Sequence, residues 1–100
     1  MTKYQIDLLQ MPNQEISVEL GNDSFDLSFR TIKGDLYISV VKNDEPMFYS
    51  KRCCNKMPLL NQRQGNMYFY DNSGNKNPNW QEFNDRFLLI YDDEYLLAGD

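Results

Sequence analysis

The sequence predicts an all-β fold, a compact antiparallel barrel or sandwich of six or seven short strands with one or two short helical turns. Three observations carry that prediction. Apolar and polar residues alternate with a period of two through much of the chain, which in an extended backbone sends successive side chains to opposite faces. Clusters of Gly, Asn, Asp and Pro recur at intervals of about ten residues. Helical periodicity is nearly absent, and with it the crossover helices that a doubly wound parallel sheet requires.

Residues 4–9 form the first strand candidate, interrupted by Met11, Pro12 and Asn13 because proline lacks the amide a ladder needs. Glu15, Ser17 and Glu19 then alternate with Ile16, Val18 and Leu20. Gly21, Asn22, Asp23 and Ser24 make a turn, after which Phe25, Leu27 and Phe29 alternate with Asp26, Ser28 and Arg30 to complete a hairpin. Lys33, Gly34 and Asp35 lead into Leu36, Ile38 and Val40, with Tyr37, Ser39 and Val41 on the opposite face, which extends the hairpin to a meander. Residues 43–46 reverse the chain into a short strand over residues 47–51. Met57, Pro58, Leu59 and Leu60 read as a loop that tucks apolar side chains onto the core, since Pro58 disfavours a helical Met57. Residues 66–71 and 86–91 supply the last two strands. Between them Trp80, Gln81, Glu82 and Phe83 make one helical turn after Pro78, with Trp80 and Phe83 on one side. Asp92 is placed as the cap of a C-terminal turn holding Tyr95, Leu96 and Leu97. The expected core is Ile16, Val18, Leu20, Phe25, Leu27, Phe29, Leu36, Ile38, Val40, Phe69, Leu88 and Ile90, in one domain over residues 1–100.

Charge and composition then remove whole classes of function. Ten Lys and Arg against fifteen Asp and Glu give a net charge of −5, which argues against nucleic acid or an anionic membrane as partner and favours a protein partner, a basic one most easily. No basic stretch precedes an apolar run near the start, and no apolar run reaches the roughly 20 residues that span a bilayer, so the chain is expected in a cytoplasm. The absence of histidine removes the usual general base near neutral pH and the commonest metal ligand. Cys53 and Cys54 are adjacent and too few for a zinc site, and at least one is expected to be a buried small apolar side chain. Asp71, Ser73, Asn75, Asn77, Asn79 and Glu82 have the spacing of a calcium loop, but Lys76 stands where that loop needs glycine and strands flank it, so polar turn chemistry explains them better. Asp92, Asp93 and Glu94 read as a solvated acidic cap. No phosphate-binding glycine motif and no nucleophile beside a base is present. No catalytic residue, metal ligand or cofactor is expected.

What the sequence does offer is contact surface. Tyr68, Phe69 and Tyr70 follow Met67, and residues 87–91 are an unbroken apolar run, so both strands carry apolar groups toward both sheet faces. That surplus predicts partner subunits. Tyr and Arg are also the types that interface centres favour, which draws attention to Arg30, Arg52, Arg63 and Arg86. Tyr68, Tyr70, Trp80, Arg86 and Tyr91 are the candidate partner-contacting residues.

The opening MPNQEISVEL, the hairpin element FRTIKGDLYI, the segment RCCNKMPLLNQ and the closing GNMYFYDNSGNKNPNWQEFNDRFLLIY, in this order and spacing, resemble the small baseplate plug proteins of contractile-tailed bacteriophages. The resemblance spans nearly the whole chain and rests on the order of the pieces, each of which is by itself only a proline turn, a hairpin or an aromatic strand. It implies an all-β virion protein in the baseplate hub, near the end of the tail tube, holding hub and tail-tube proteins together before contraction. It also implies copies repeated around the tail axis, for which three or six are natural, and it carries no catalytic residue. The competing expectation is a soluble β-barrel adaptor or ligand-binding module outside any virion, with the Trp80 loop as its recognition surface. A calcium-dependent or carboxylate-based enzyme is the third expectation, and it would show metal-dependent folding or activity.

Overall fold

The computed structural model describes residues 3–60, 62 and 64–96, in which seven strands form two antiparallel sheets packed face to face. The strands are β1 (Lys3–Ile6), β2 (Gln14–Leu20), β3 (Asp23–Ile32), β4 (Asp35–Lys42), β5 (Glu45–Arg52), β6 (Gln64–Asp71) and β7 (Phe87–Leu96), with one 3-10 turn at Trp80–Glu82. One sheet has the order β2-β3-β4-β5 and the other β1-β7-β6. The two remain separate, so the architecture is a sandwich and not a closed barrel.

The four-stranded sheet is the expected meander, continued by β5. Its tight turns use residues that accept positive φ, Gly34 at 83° and Asn43 and Asp44 at 51° and 67°, with Lys33 drawn to 51° beside Gly34. Asn43 also fastens its turn to the neighbouring hairpin, since its N–H donates to the Ser24 carbonyl (2.8 Å) and its Oδ1 accepts the Ser24 N–H (2.9 Å). Along β3 and β4 the alternation holds through Phe25, Leu27, Phe29, Leu36, Ile38 and Val40, all buried. β5 is less regular. Its register against β4 shifts between Ile38 and Val40, where Ser50 has φ 54° and its N–H donates to Ser39 Oγ (2.9 Å) instead of continuing the ladder.

The second sheet joins the first strand to the last. β1 pairs with β7 in the register Ile6↔Leu89, and β6 pairs with β7 in the register Phe69↔Leu89. The outer edge of β6 is covered by the incoming chain. The Lys56 and Leu59 N–H groups donate to the Phe69 and Met67 carbonyls (2.7 and 2.8 Å), and the Asn66 carboxamide accepts the Leu60 N–H and donates to the Leu60 carbonyl (both 2.7 Å). A carboxamide used this way imitates a paired peptide and closes an edge that would otherwise stay unpaired. Leu59 and Leu60 are thereby buried, as the loop reading anticipated. The β1–β2 crossing is held alike, with the Asn84 side chain accepting the Leu8 N–H (3.0 Å) and donating to the Leu8 carbonyl.

One buried cluster fills the space between the sheets, drawing Phe25, Leu27 and Phe29 from β3, Leu36, Ile38 and Val40 from β4, Met67 and Phe69 from β6, and Phe87 and Leu89 from β7. Phe83 completes it from the 3-10 turn region, stacked on the Phe69 ring at 5.8 Å and meeting the Phe29 ring edge-on at 6.4 Å.

Four expectations are corrected. β1 ends at Ile6 and not at residue 9, because the chain must leave the three-stranded sheet to reach β2. Leu88 and Ile90 are half-buried on the outer face, since the pairing of Leu89 with Phe69 sends Phe87, Leu89 and Tyr91 inward. Ile16 and Val18 are only half-buried, because β2 is an edge strand with β3 as its one neighbour. Asp92 caps no turn: β7 runs on through it to Leu96, carried by the pairs Lys3↔Asp92 and Gln64↔Leu96, so that cross-strand pairing overrides local turn preference. Leu97 lies outside the described residues.

The register predicts an asymmetry between neighbours in β7. Leu89→Ala should lower stability by about 2 to 5 kcal/mol and Leu88→Ala by about 1 kcal/mol or less, read as shifts of the urea midpoint. Equal losses would contradict the assigned faces.

Candidate functional site

The connection between β6 and β7 is organised by one carboxylate. Asp71, at the last position of β6, has a fully buried side chain, and Arg86 grips it with Nε to Oδ1 at 2.8 Å and Nη2 to Oδ2 at 3.0 Å. The Ser73 and Lys76 N–H groups donate to the two oxygens (2.9 Å each), so the turn after β6 wraps around the carboxylate. Asn55 Oδ1 accepts the Asp71 N–H (2.9 Å), and the Asn72 N–H donates to the Arg86 carbonyl (2.8 Å). A bidentate fork with two further donors stabilises the charged form, and hydrogen bonding to Arg86 holds the Asp71 carboxyl well below the usual carboxylate range. Asp71 is therefore spent on Arg86 and the backbone, and Asn79 on the turn itself, where its Oδ1 accepts the Gln81 N–H (3.2 Å). Asn77 Oδ1 accepts the Asn55 N–H (3.1 Å). These side chains are doing polar turn chemistry.

The five candidate contact residues fall into three settings. Tyr68 and Tyr70 stand on the outer face of the three-stranded sheet, directly opposite Ile90 and Leu88. Tyr95 joins them with its ring 5.9 Å from Tyr68, and Lys56 places its ammonium 5.9 Å from the Tyr70 ring centre. Trp80 is half-buried, packed against the core from its turn. Arg86 is committed to Asp71, with its guanidinium 5.3 Å over the Phe87 ring. Tyr91 is nearly buried, and its hydroxyl lies where a Cβ on Gly65 would come within 2.6 Å of it; Gly65 has φ 79°, so only glycine suits that bend. Burial pushes the Tyr91 phenol up, and the carboxylates of Asp93 and Asp23 add to the shift.

The two outer faces differ in kind. On the four-stranded sheet the part built by β2 and β3 is polar and internally bonded, with Ser17 Oγ donating to Asp26 (2.6 Å) and Ser28 Oγ to Glu15 (3.2 Å), while Tyr37 and Val41 of β4 and the exposed Tyr49 of β5 lie beside it as separate apolar groups. On the three-stranded sheet they are Tyr68, Tyr70, Leu88, Ile90 and Tyr95, with Tyr70 40% exposed. Tyr95, Leu88, Ile90 and Lys56 were missing from the candidate set. An unbroken apolar run has no parity of its own, and the acids before Tyr95 read locally as the start of a turn. Of the other arginines singled out, Arg30 is exposed on β3 and Arg52 pairs with Asp35 at the surface (3.0 Å), while Arg63 lies outside the described residues. Cys53 is buried, and burial pushes its thiol up strongly; Cys54 is half-buried. Asp92 is buried and its Oδ1 accepts the Glu94 N–H (3.0 Å), in place of the solvated cap expected there.

Comparison with known proteins agrees with the sequence resemblance. A family model described as cyanophage baseplate Pam3 plug gp18 matches residues 1–94. No curated protein matches the chain.

Two predictions follow from the site. As pH falls below about 4, the unfolded aspartate takes up a proton that folded Asp71 does not, so acid favours unfolding and the contribution of Asp71 is lost toward its low folded pKa. Asp71→Asn should lower the urea midpoint at neutral pH and flatten the decline between about pH 4 and pH 2. A parallel decline in both proteins would show that Asp71 does not set the acid limb. For the cysteines, a thiol reagent should modify Cys54 in the folded chain and reach Cys53 only on unfolding, counted by mass spectrometry.

Proposed function

The chain belongs to the cyanophage baseplate plug family, and from that membership we propose that it stands in the hub of the baseplate, close to the tail axis, holding hub and tail-tube proteins together before contraction. The family is structural, and its members associate with other components of the virion tail baseplate. The observation that carries the finer reading is the apolar outer face of the three-stranded sheet. An antiparallel sheet with one solvated face normally alternates polar residues outward, as β2 and β3 do here. β6 and β7 instead turn Tyr68, Tyr70, Leu88 and Ile90 outward. Aromatic side chains over a packed sheet are rigid anchors that give contact area at low entropic cost.

The mechanism is steric and cohesive. Three or six copies repeated around the tail axis each bury this face against a neighbouring subunit, and the ring is held by the sum of modest contacts. Tyr68 and Tyr70 are the primary anchors, with Trp80 as a second contact on the rigid β6–β7 connection. Arg86 and Tyr91 support from within, by fixing that connection and the bend at Gly65. The chain is made in the host cytoplasm and joins the baseplate during assembly; release would accompany rearrangement of the hub.

Incorporation tests this reading. Tyr68→Ala with Tyr70→Ala should lower the stability of the isolated chain by only about 1 to 2 kcal/mol, leaving it folded, but weaken incorporation of the folded chain into baseplates by about 30-fold or more, as for loss of an interface anchor worth about 2 kcal/mol. Trp80→Ala should also impair incorporation more than it destabilises the chain. Normal assembly and infectivity of these variants would refute the proposed contact face.

A further inference from the structure

The edges of the sandwich are not protected equally. β6 is covered by residues 55–60, and β5 is interrupted by the bulge at Ser50 and carries Pro46. β2 has neither device. It runs from Gln14 to Leu20 in unbroken register with β3 and, among the described residues, has no strand on its other side.

The direction of its backbone groups follows from the hairpin. With only Gly21 and Asn22 between the strands, Leu20 and Asp23 are the first hydrogen-bonded pair, so Glu19 and Ser24 are a pair whose backbone groups point away from each other. Ser24 bears this out, since its N–H and carbonyl both engage Asn43 on the β4 side. By the same alternation the N–H and carbonyl groups of Glu15, Ser17 and Glu19 point to the free edge. Their side chains line the outer face, while half-buried Ile16 and Val18 point inward. Between β2 and β1 runs a groove of about 450 Å³ lined by Tyr4, Ile6, Asp7, Val18, Glu19 and neighbouring residues.

We infer that β2 receives an added strand from a partner protein, an extended segment that carries basic side chains four residues apart against Glu15 and Glu19 and aliphatic side chains turned into the groove beside Val18. Three outward peptide groups supply the ladder, and the groove takes alternate side chains, which is how strand addition divides affinity from specificity. Charge selects the occupant. A second copy of β2 paired antiparallel about Ser17 would set Glu15 against Glu19 twice, and like charges directly opposite are destabilising. Asp7 adds a further carboxylate beside the groove, so a basic strand complements this edge. The inference goes beyond the baseplate reading and does not depend on it.

Amide hydrogen exchange of the full chain tests it, with a capped synthetic peptide of alternating lysine and valine, about nine residues long, as probe. In the free chain the amides of Glu15, Ser17 and Glu19 should exchange faster than those of Ile16 and Val18. With peptide at ten times its Kd, the three fast amides should slow by about tenfold while Ile16 and Val18 stay unchanged. A peptide of alternating glutamate and valine should give no protection. Ser17→Pro, which removes an outward N–H the native ladder does not use, should abolish protection. Glu15→Lys with Glu19→Lys should transfer binding to the glutamate peptide, a check that holds even if the proline variant fails to fold. Absence of protection at the three amides, protection confined to the Tyr68 and Tyr70 face, or failure of the charge reversal to exchange the two peptides would overturn the inference.

Discussion

The three-ring contact of Phe29, Phe69 and Phe83 is the interaction on which the rest of the structure depends. Two open sheets of unequal size share no ladder across their interface, so side-chain packing, together with the hydrogen-bonded chain crossings, fixes their relative position. Phe29 comes from the four-stranded sheet and Phe69 from the three-stranded one. Phe83 meets both from the connection between β6 and β7. Because one end of that connection is anchored in the core, the rest cannot behave as a free loop, and the Asp71–Arg86 pair closes its other side. Trp80 is thereby carried on a fixed support.

The core also decides what is left for the surface. Each strand has two faces and the sandwich can bury only one of them, so the inward set of Met67, Phe69, Phe87 and Leu89 leaves Tyr68, Tyr70, Leu88 and Ile90 outside. Within the sheet these side chains support one another as cross-strand pairs, Tyr68 with Ile90 and Tyr70 with Leu88. Under the proposed function the same residues would be contact area already held by the ladder beneath them, so that little conformational freedom would be lost when a neighbour docks. The polar outer face of β2 and β3, with its serine–carboxylate hydrogen bonds, shows that the chain can build a solvated face where one is wanted.

Most of the four-stranded sheet was legible because β3 and β4 alternate strictly and their turns use residues suited to positive φ. The apolar loop at Leu59 and Leu60 was legible from Pro58, and the helical turn at Trp80 from Pro78 and its spacing to Phe83. The sequence did not decide between a barrel and a sandwich, because closure depends on which strands pair across a long separation, as β1 does with β7. The faces of β7 were illegible for a local reason: in a run from Phe87 to Tyr91 both alternations are apolar, and only the register against Phe69 separates them. The same long-range pairing carried β7 past Asp92, where nearby acids suggested a cap. Arg86 drew notice as an interface type, but nothing in the sequence indicated that Asp71 would bind it, since the two meet across fifteen positions through the ends of paired strands.

A cryo-EM map of the intact baseplate tests the central claim most directly. The account predicts this chain on or near the tail axis with the Tyr68, Tyr70 and Tyr95 face packed against a neighbouring subunit. A map that places the chain on the outer tail, or leaves that face in solvent while contacts run elsewhere, would contradict it.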